Sequence, residues 1–109
     1  MEYRNINDEK VSLLGMGCMR LPLVEGTDEI DYEHTKKMVK YAIDNGITYF
    51  DTAYPYHNGK SELVIGKILK EYPRNSFKLA SKMPSWDLKT IDDAKRIFAE
   101  QLVKCQVEY

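Results

Sequence analysis

Apolar and polar positions change their spacing repeatedly along the chain. "KVSLLGMG" (10–17) is a short apolar run closed by glycines and predicts a buried strand. "DEIDYEHTKKMVKYAIDNG" (28–46) has helical spacing, with Met38, Val39, Ala42 and Ile43 on one face. Acids crowd its start, and Asn45-Gly46 marks its stop. "ITYFDTA" (47–53) is β-branched and aromatic, which predicts a second strand. "SELVIGKILKEYP" (61–73) predicts a helix ended near Pro73, and "FKLASK" (77–82) a third strand. "TIDDAKRIFAEQLVKC" (90–105) predicts a third helix capped by Thr90, with Ile91, Ala94, Phe98, Leu102 and Cys105 as its apolar stripe. The N-terminal piece from Glu2 to Lys10 reads as a hairpin.

Strand followed by helix therefore recurs three times, and repeated βα units build parallel sheets through right-handed crossovers. The strands read as near-continuous apolar runs, as expected when both faces of a sheet are covered. The fold class is α/β, as either an open doubly wound sheet or part of a (β/α)8 barrel. Apolar residues at 43% and aromatics at 11% suffice for a core. With 16 basic and 17 acidic side chains, the net charge of -1 gives no electrostatic reason to expect nucleic acid or an anionic membrane as partner. No apolar run approaches the ~20 residues of a membrane span, and the polar opening "MEYRNINDEK" does not read as a secretory leader. Cys18 and Cys105 lie far apart with no CxxC or Cys/His cluster. That pattern predicts no metal site and two reduced thiols, as in a cytoplasmic protein.

The stretch "FDTAYPYHNGKSE" (50–62) crowds a carboxylate, two tyrosines, a histidine and Gly-Lys-Ser into one segment. A phosphate loop needs a further glycine five positions before Gly59, and Tyr54 stands there. Gly59 is thus expected to turn the chain and Ser61 to cap the helix that follows. Gly15-Met16-Gly17 opens a dinucleotide fingerprint, but Arg20 occupies the third glycine position and "RLPLVEG" intervenes before any helix. Glycines at a strand end still let another group approach the backbone closely.

Asp51 ends the second strand, Tyr56 lies in the loop beyond it, and Lys82 ends the third strand. In a parallel α/β fold all three meet at the carboxyl edge of the sheet, where such folds place their sites. One reading is a tyrosine acid. A phenol ordinarily titrates near ~10, and an ammonium within about 4–6 Å stabilises its phenolate form. The other reading is an Asp–Lys ion pair beside a half-buried tyrosine. His57 is expected at the rim of this pocket, and His34 on the exposed face of the first helix.

"FDTAYPYHNGKSELVIGKIL" resembles the signature of the aldo-keto reductase family. There an Asp at the end of strand two is followed five residues later by the catalytic Tyr, then by a Gly and a Ser-Glu opening the next helix. "YRNIN…KVSLLGMGCMRLP" resembles the family's opening segment, and "KLASKMP" its catalytic lysine strand. "GCMRLP" and "YHNGKSE" look most like a bacterial branch whose members often carry a C-terminal iron–sulfur module, which would lie outside this chain. The resemblance implies the N-terminal part, about three βα units, of a (β/α)8 barrel that reduces aldehydes or ketones with NADPH, or alternatively NADH. Tyr56 is then the general acid, Lys82 its electrostatic partner and Asp51 the group that orients Lys82. Gly17, Cys18, Met19, Arg20 and Asp51 would border the cofactor. Trp86 and His57 would line the substrate pocket.

The family's fourth catalytic member, a histidine at the end of strand four, is expected past Tyr109. A complete barrel needs ~250 residues. The resemblance therefore implies one partial barrel domain over residues 1–109, with the C-terminal substrate loops and most of the cofactor site beyond it and little turnover of its own. Open edges on its first and third strands predict self-association.

Overall fold

A computed structural model describes residues 1–109. The chain opens with an antiparallel hairpin of β1 (Tyr3–Ile6) and β2 (Glu9–Ser12). Its turn residues Asn7 and Asp8 both take left-handed backbone, at φ 49° and 66°. Such turns match the right-handed twist of the flanking strands. Three parallel strands follow in the spatial order β3 (Met16–Gly17), β4 (Tyr49–Asp51) and β5 (Lys78–Ala80). After each comes a helix: α1 (Tyr32–Asp44), α2 (Lys60–Leu69) and α3 (Ile91–Cys105).

The run 10–17 is not the single buried strand its apolarity predicts. Its first residues complete the hairpin, Leu13 and Leu14 are exposed, and only Met16–Gly17 enters the parallel sheet. The break is fixed by a reciprocal pair: Ser12 N–H donates to Thr48 Oγ1, and Thr48 N–H donates to Ser12 Oγ, each at 2.9 Å. Glu9 also pairs with Lys78. The hairpin is thereby tied to the amino ends of β4 and β5.

Helix ends follow local chemistry. Asp31 caps α1 by accepting from His34 N–H at 3.0 Å, and Gly46 turns the chain out of it at φ 92°. Thr90 and Asp93 form a reciprocal capping box on α3. Ser61, expected as a cap, lies inside α2, whose N-cap is the left-handed Gly59. The inward stripe of α3 also differs from expectation. Ile97, Gln101 and Cys105 are buried, whereas Ile91 and Phe98 are 71% and 54% exposed. The reason is a close helix crossing. A Cβ at Gly66 of α2 would sit 2.6 Å from the Cys105 backbone, so the Cys105 edge of α3 rests on a glycine.

The sheet register decides which side chains face the helices. Met16, Phe50 and Leu79 are lateral neighbours and pack with Val39, Ile65, Ile68 and Leu69 in the core. Gly17, Asp51 and Ala80 are lateral neighbours on the opposite face, because successive residues of a strand alternate sides. That face carries no helix. Tyr49, Asp51, Lys78 and Ala80 are only half-buried, so the expectation of strands covered on both faces does not hold here.

Candidate active site

Two backbone bonds carry the ladder between β4 and β5 past the strand ends. Thr52 N–H donates to Ala80 O at 2.8 Å, and Tyr54 N–H donates to Lys82 O at 3.0 Å. Lys82 thus sits two residues beyond Ala80 on the same uncovered face as Asp51. Its ammonium donates to Asp51 Oδ1 at 2.6 Å and to Thr52 O at 2.9 Å. It also lies 4.9 Å from the centre of the Tyr56 ring. Partial burial, the largest single influence on Lys82, lowers its pKa. Hydrogen bonding and charge from Asp51, with the Tyr56 phenol, outweigh it, and the net shift is upward. The ammonium therefore stays charged, clamped between carboxylate and phenol.

Beside this group the chain leaves β3 as an arch, 17–21. Cys18 is fully buried beneath it, and both of its backbone groups are engaged. Its N–H donates to Asp51 O at 2.8 Å, and its carbonyl accepts from Ser61 Oγ at 3.0 Å. Ser61 in turn shares a 2.8 Å hydrogen bond with Thr52. Burial, with repulsion from Asp51 and against the pull of Lys82, pushes the Cys18 thiol up to about 12. It is a protonated packing group and not a surface contact. Met19 and Arg20 are exposed on the arch. A Cβ at Gly17 would meet nothing within 4 Å, so the backbone at this strand end faces open space beside Asp51.

Beneath the site lies a buried polar cluster that the sequence reading missed. Glu62 is fully buried on α2. Its Oε1 accepts from Ser81 Oγ at 2.5 Å and from Gln101 Nε2 at 2.8 Å. Its Oε2 faces the Lys104 ammonium at 2.9 Å, in an ionic contact without good hydrogen-bond geometry. Gln101 also donates to Lys82 O at 3.1 Å. The peptide that carries Lys82 is therefore held from below by α2 and α3. The four-residue spacing of Ile97, Gln101 and Cys105 was the available signal for Gln101, and nothing local marked Glu62.

Of the residues singled out from sequence, Asp51, Tyr56, Lys82, Gly17, Met19 and Arg20 come together at this edge. His57 does not point freely into a pocket: its Nε2 accepts from Leu21 N–H at 3.0 Å. Trp86 is 73% exposed. It lines a shallow recess with Tyr54, Pro55, Pro84, Asp87 and Glu100, a group that includes neither Tyr56 nor Lys82. His34 is exposed on α1.

Residues 13–109 match the model of the Aldo/keto reductase family. The chain belongs to that family. It is 38% identical over 87 residues to aldo-keto reductase YhdN of Bacillus subtilis, a match covering 75% of this chain and 25% of the relative. All of it matches the solved aldo-keto reductase AKR11C1 from Bacillus halodurans at a TM-score of 0.80 and 28% identity, covering 38% of that chain. It also matches the Klebsiella pneumoniae aldo-keto reductase in complex with NADPH, at a TM-score of 0.77, 23% identity and 37% of that chain. The fold is a hairpin and three βα units of a (β/α)8 barrel. The chain spans about a fifth to a quarter of the length of the curated relatives it matches.

Proposed function

We propose that this chain supplies the proton-donating side of a nicotinamide-dependent carbonyl reductase, with small aldehydes or ketones as substrates. The observation that carries the reading is the Asp51–Lys82–Tyr56 group at the carboxyl edge of the sheet, beside the open backbone of Gly17. Tyr56 donates its proton to the carbonyl oxygen. The Lys82 ammonium stabilises the negative charge left on the phenolic oxygen, and Asp51 holds the ammonium in place. Gly17, Met19 and Arg20 border the nicotinamide and its ribose, with Cys18 beneath them as support. These residues fit the group, because Gly17 has no side chain to fill the space and nothing else in the chain fills it. Bound there, a reduced nicotinamide supplies the hydride.

The chain carries three βα units, and we propose that turnover needs the rest of a barrel, including a further group at the carbonyl oxygen. The test is to express residues 1–109 together with the remaining βα units of a family barrel. NADPH consumption is then followed with a panel of aldehydes. The proposal expects aldehyde-dependent consumption of NADPH. Tight NADPH binding with no turnover would overturn it in favour of a cofactor-binding subunit without catalysis.

A further inference from the structure

The arch 17–21 is anchored at three points, all on the segment that runs from β4 into α2. Two are at Cys18, through Asp51 O at 2.8 Å and Ser61 Oγ at 3.0 Å. The third is at the far end, where Leu21 N–H donates to His57 Nε2 at 3.0 Å. Between the anchors, Met19 and Arg20 make no hydrogen bond with the rest of the chain. We infer that His57 is a positioning residue, a latch that fixes the far end of this arch against the Tyr56 turn and so sets the gap between cofactor border and acid. The functional half of this inference rests on the reductase reading above. The latch itself does not.

The backbone of the turn supports it. His57, Asn58 and Gly59 are left-handed in succession, at φ 52°, 55° and 86°. Glycine adopts this conformation freely, asparagine tolerates it, and histidine is strained there. A strained conformer at a functional edge persists only where its surroundings hold it. Here the left-handed step turns the imidazole back onto a backbone N–H 36 residues away. That N–H belongs to Leu21, which is buried, and a buried amide needs an acceptor.

The donor also fixes the state of the ring. Leu21 N–H can only donate, so Nε2 must be bare, with the ring neutral and its proton on Nδ1. The other two anchors are a peptide carbonyl and a hydroxyl, so the imidazole is the one anchor made by a ring.

The experiment is NMR on the 109-residue chain and on two variants. His57→Gln keeps an acceptor. His57→Gly removes the acceptor and suits the left-handed backbone. In the unaltered chain near pH 8, the imidazole shifts should report the Nδ1–H form. The Leu21 amide should exchange roughly five- to tenfold more slowly than in His57→Gly, in line with the loss of one hydrogen bond. His57→Gly should keep its melting temperature within about 4 °C of the unaltered chain, so that lost protection is not lost folding. His57→Gln, which keeps an acceptor, should retain part of this protection. An Nε2–H form at pH 8, or equal Leu21 exchange in all three chains, would overturn the latch. NADPH titration of the completed barrel described above separates the two ideas: a working latch with no NADPH binding sinks the reductase reading alone. Weaker NADPH binding in His57→Gly than in the unaltered protein and in His57→Gln joins them. Equal NADPH affinity in all three would overturn the positioning role.

Discussion

At the scale of single residues, two charged groups define what holds the site. Glu62 is a buried carboxylate whose oxygens serve Ser81, Gln101 and Lys104. Glu62→Ala strands the mostly buried Lys104 and leaves two donors unpaired, and should cost about 3–5 kcal/mol in chemical denaturation. Glu62→Gln, which keeps an acceptor for Ser81, should cost less. A loss below ~1 kcal/mol for the alanine would show that the cluster is not holding α2 to α3. Lys82 is the second group, and its pKa is raised in the folded chain. A raised pKa means that folding favours the proton. The stabilisation is therefore fully present below the ordinary lysine value of 10.5 and is lost as pH rises through the folded value. Lys82→Met should melt below the unaltered chain at neutral pH, and the gap should close above that value. A gap that is constant into the alkaline range would contradict this sign.

At the scale of elements, the crossing of α2 and α3 is set by Gly66. Gly66→Ala puts a methyl group against the Cys105 backbone, which cannot swing away, and should destabilise by about 1–3 kcal/mol. Circular dichroism with urea would measure it, and an unchanged midpoint would mean the helices lie further apart. Elements were legible wherever local chemistry decides them. Spacing revealed α1, Thr90 announced α3, and the order of strands and helices gave the parallel sheet. What was illegible depended on partners far along the chain. Leu13 and Leu14 look like core, but the chain bends there because Ser12 meets Thr48. Ser61 looks like a cap, but its hydroxyl serves Cys18 and Thr52. His57 reads as a pocket-rim residue, and its partner Leu21 has no sequence signal. Asp51, Tyr56 and Lys82 were readable together because each lies at a strand end or in the segment just past one, on one edge of the sheet.

At the scale of the whole molecule, the sheet ends at β3 on one side and β5 on the other, and both edges are unpaired. Leu14, Met16, Met38, Tyr41 and Ile47 line an open groove beside β3. Leu79, Met83, Phe98, Leu102 and Val107 line another beside β5. Unpaired strand edges flanked by apolar surface recruit further strands. The chain by itself should therefore elute from size exclusion at a size that grows with concentration. A compact monomer at every concentration would contradict this. A partner that adds βα units at these edges should suppress the association.

The account turns on Tyr56 as the proton donor. The most direct measurement is kcat for aldehyde reduction by the completed barrel, with Tyr56 and with Tyr56→Phe, alongside NADPH affinity. The account predicts a loss of roughly 10²–10⁴-fold in kcat with NADPH binding retained. Tyr56→Phe turning over at the unaltered rate would contradict it.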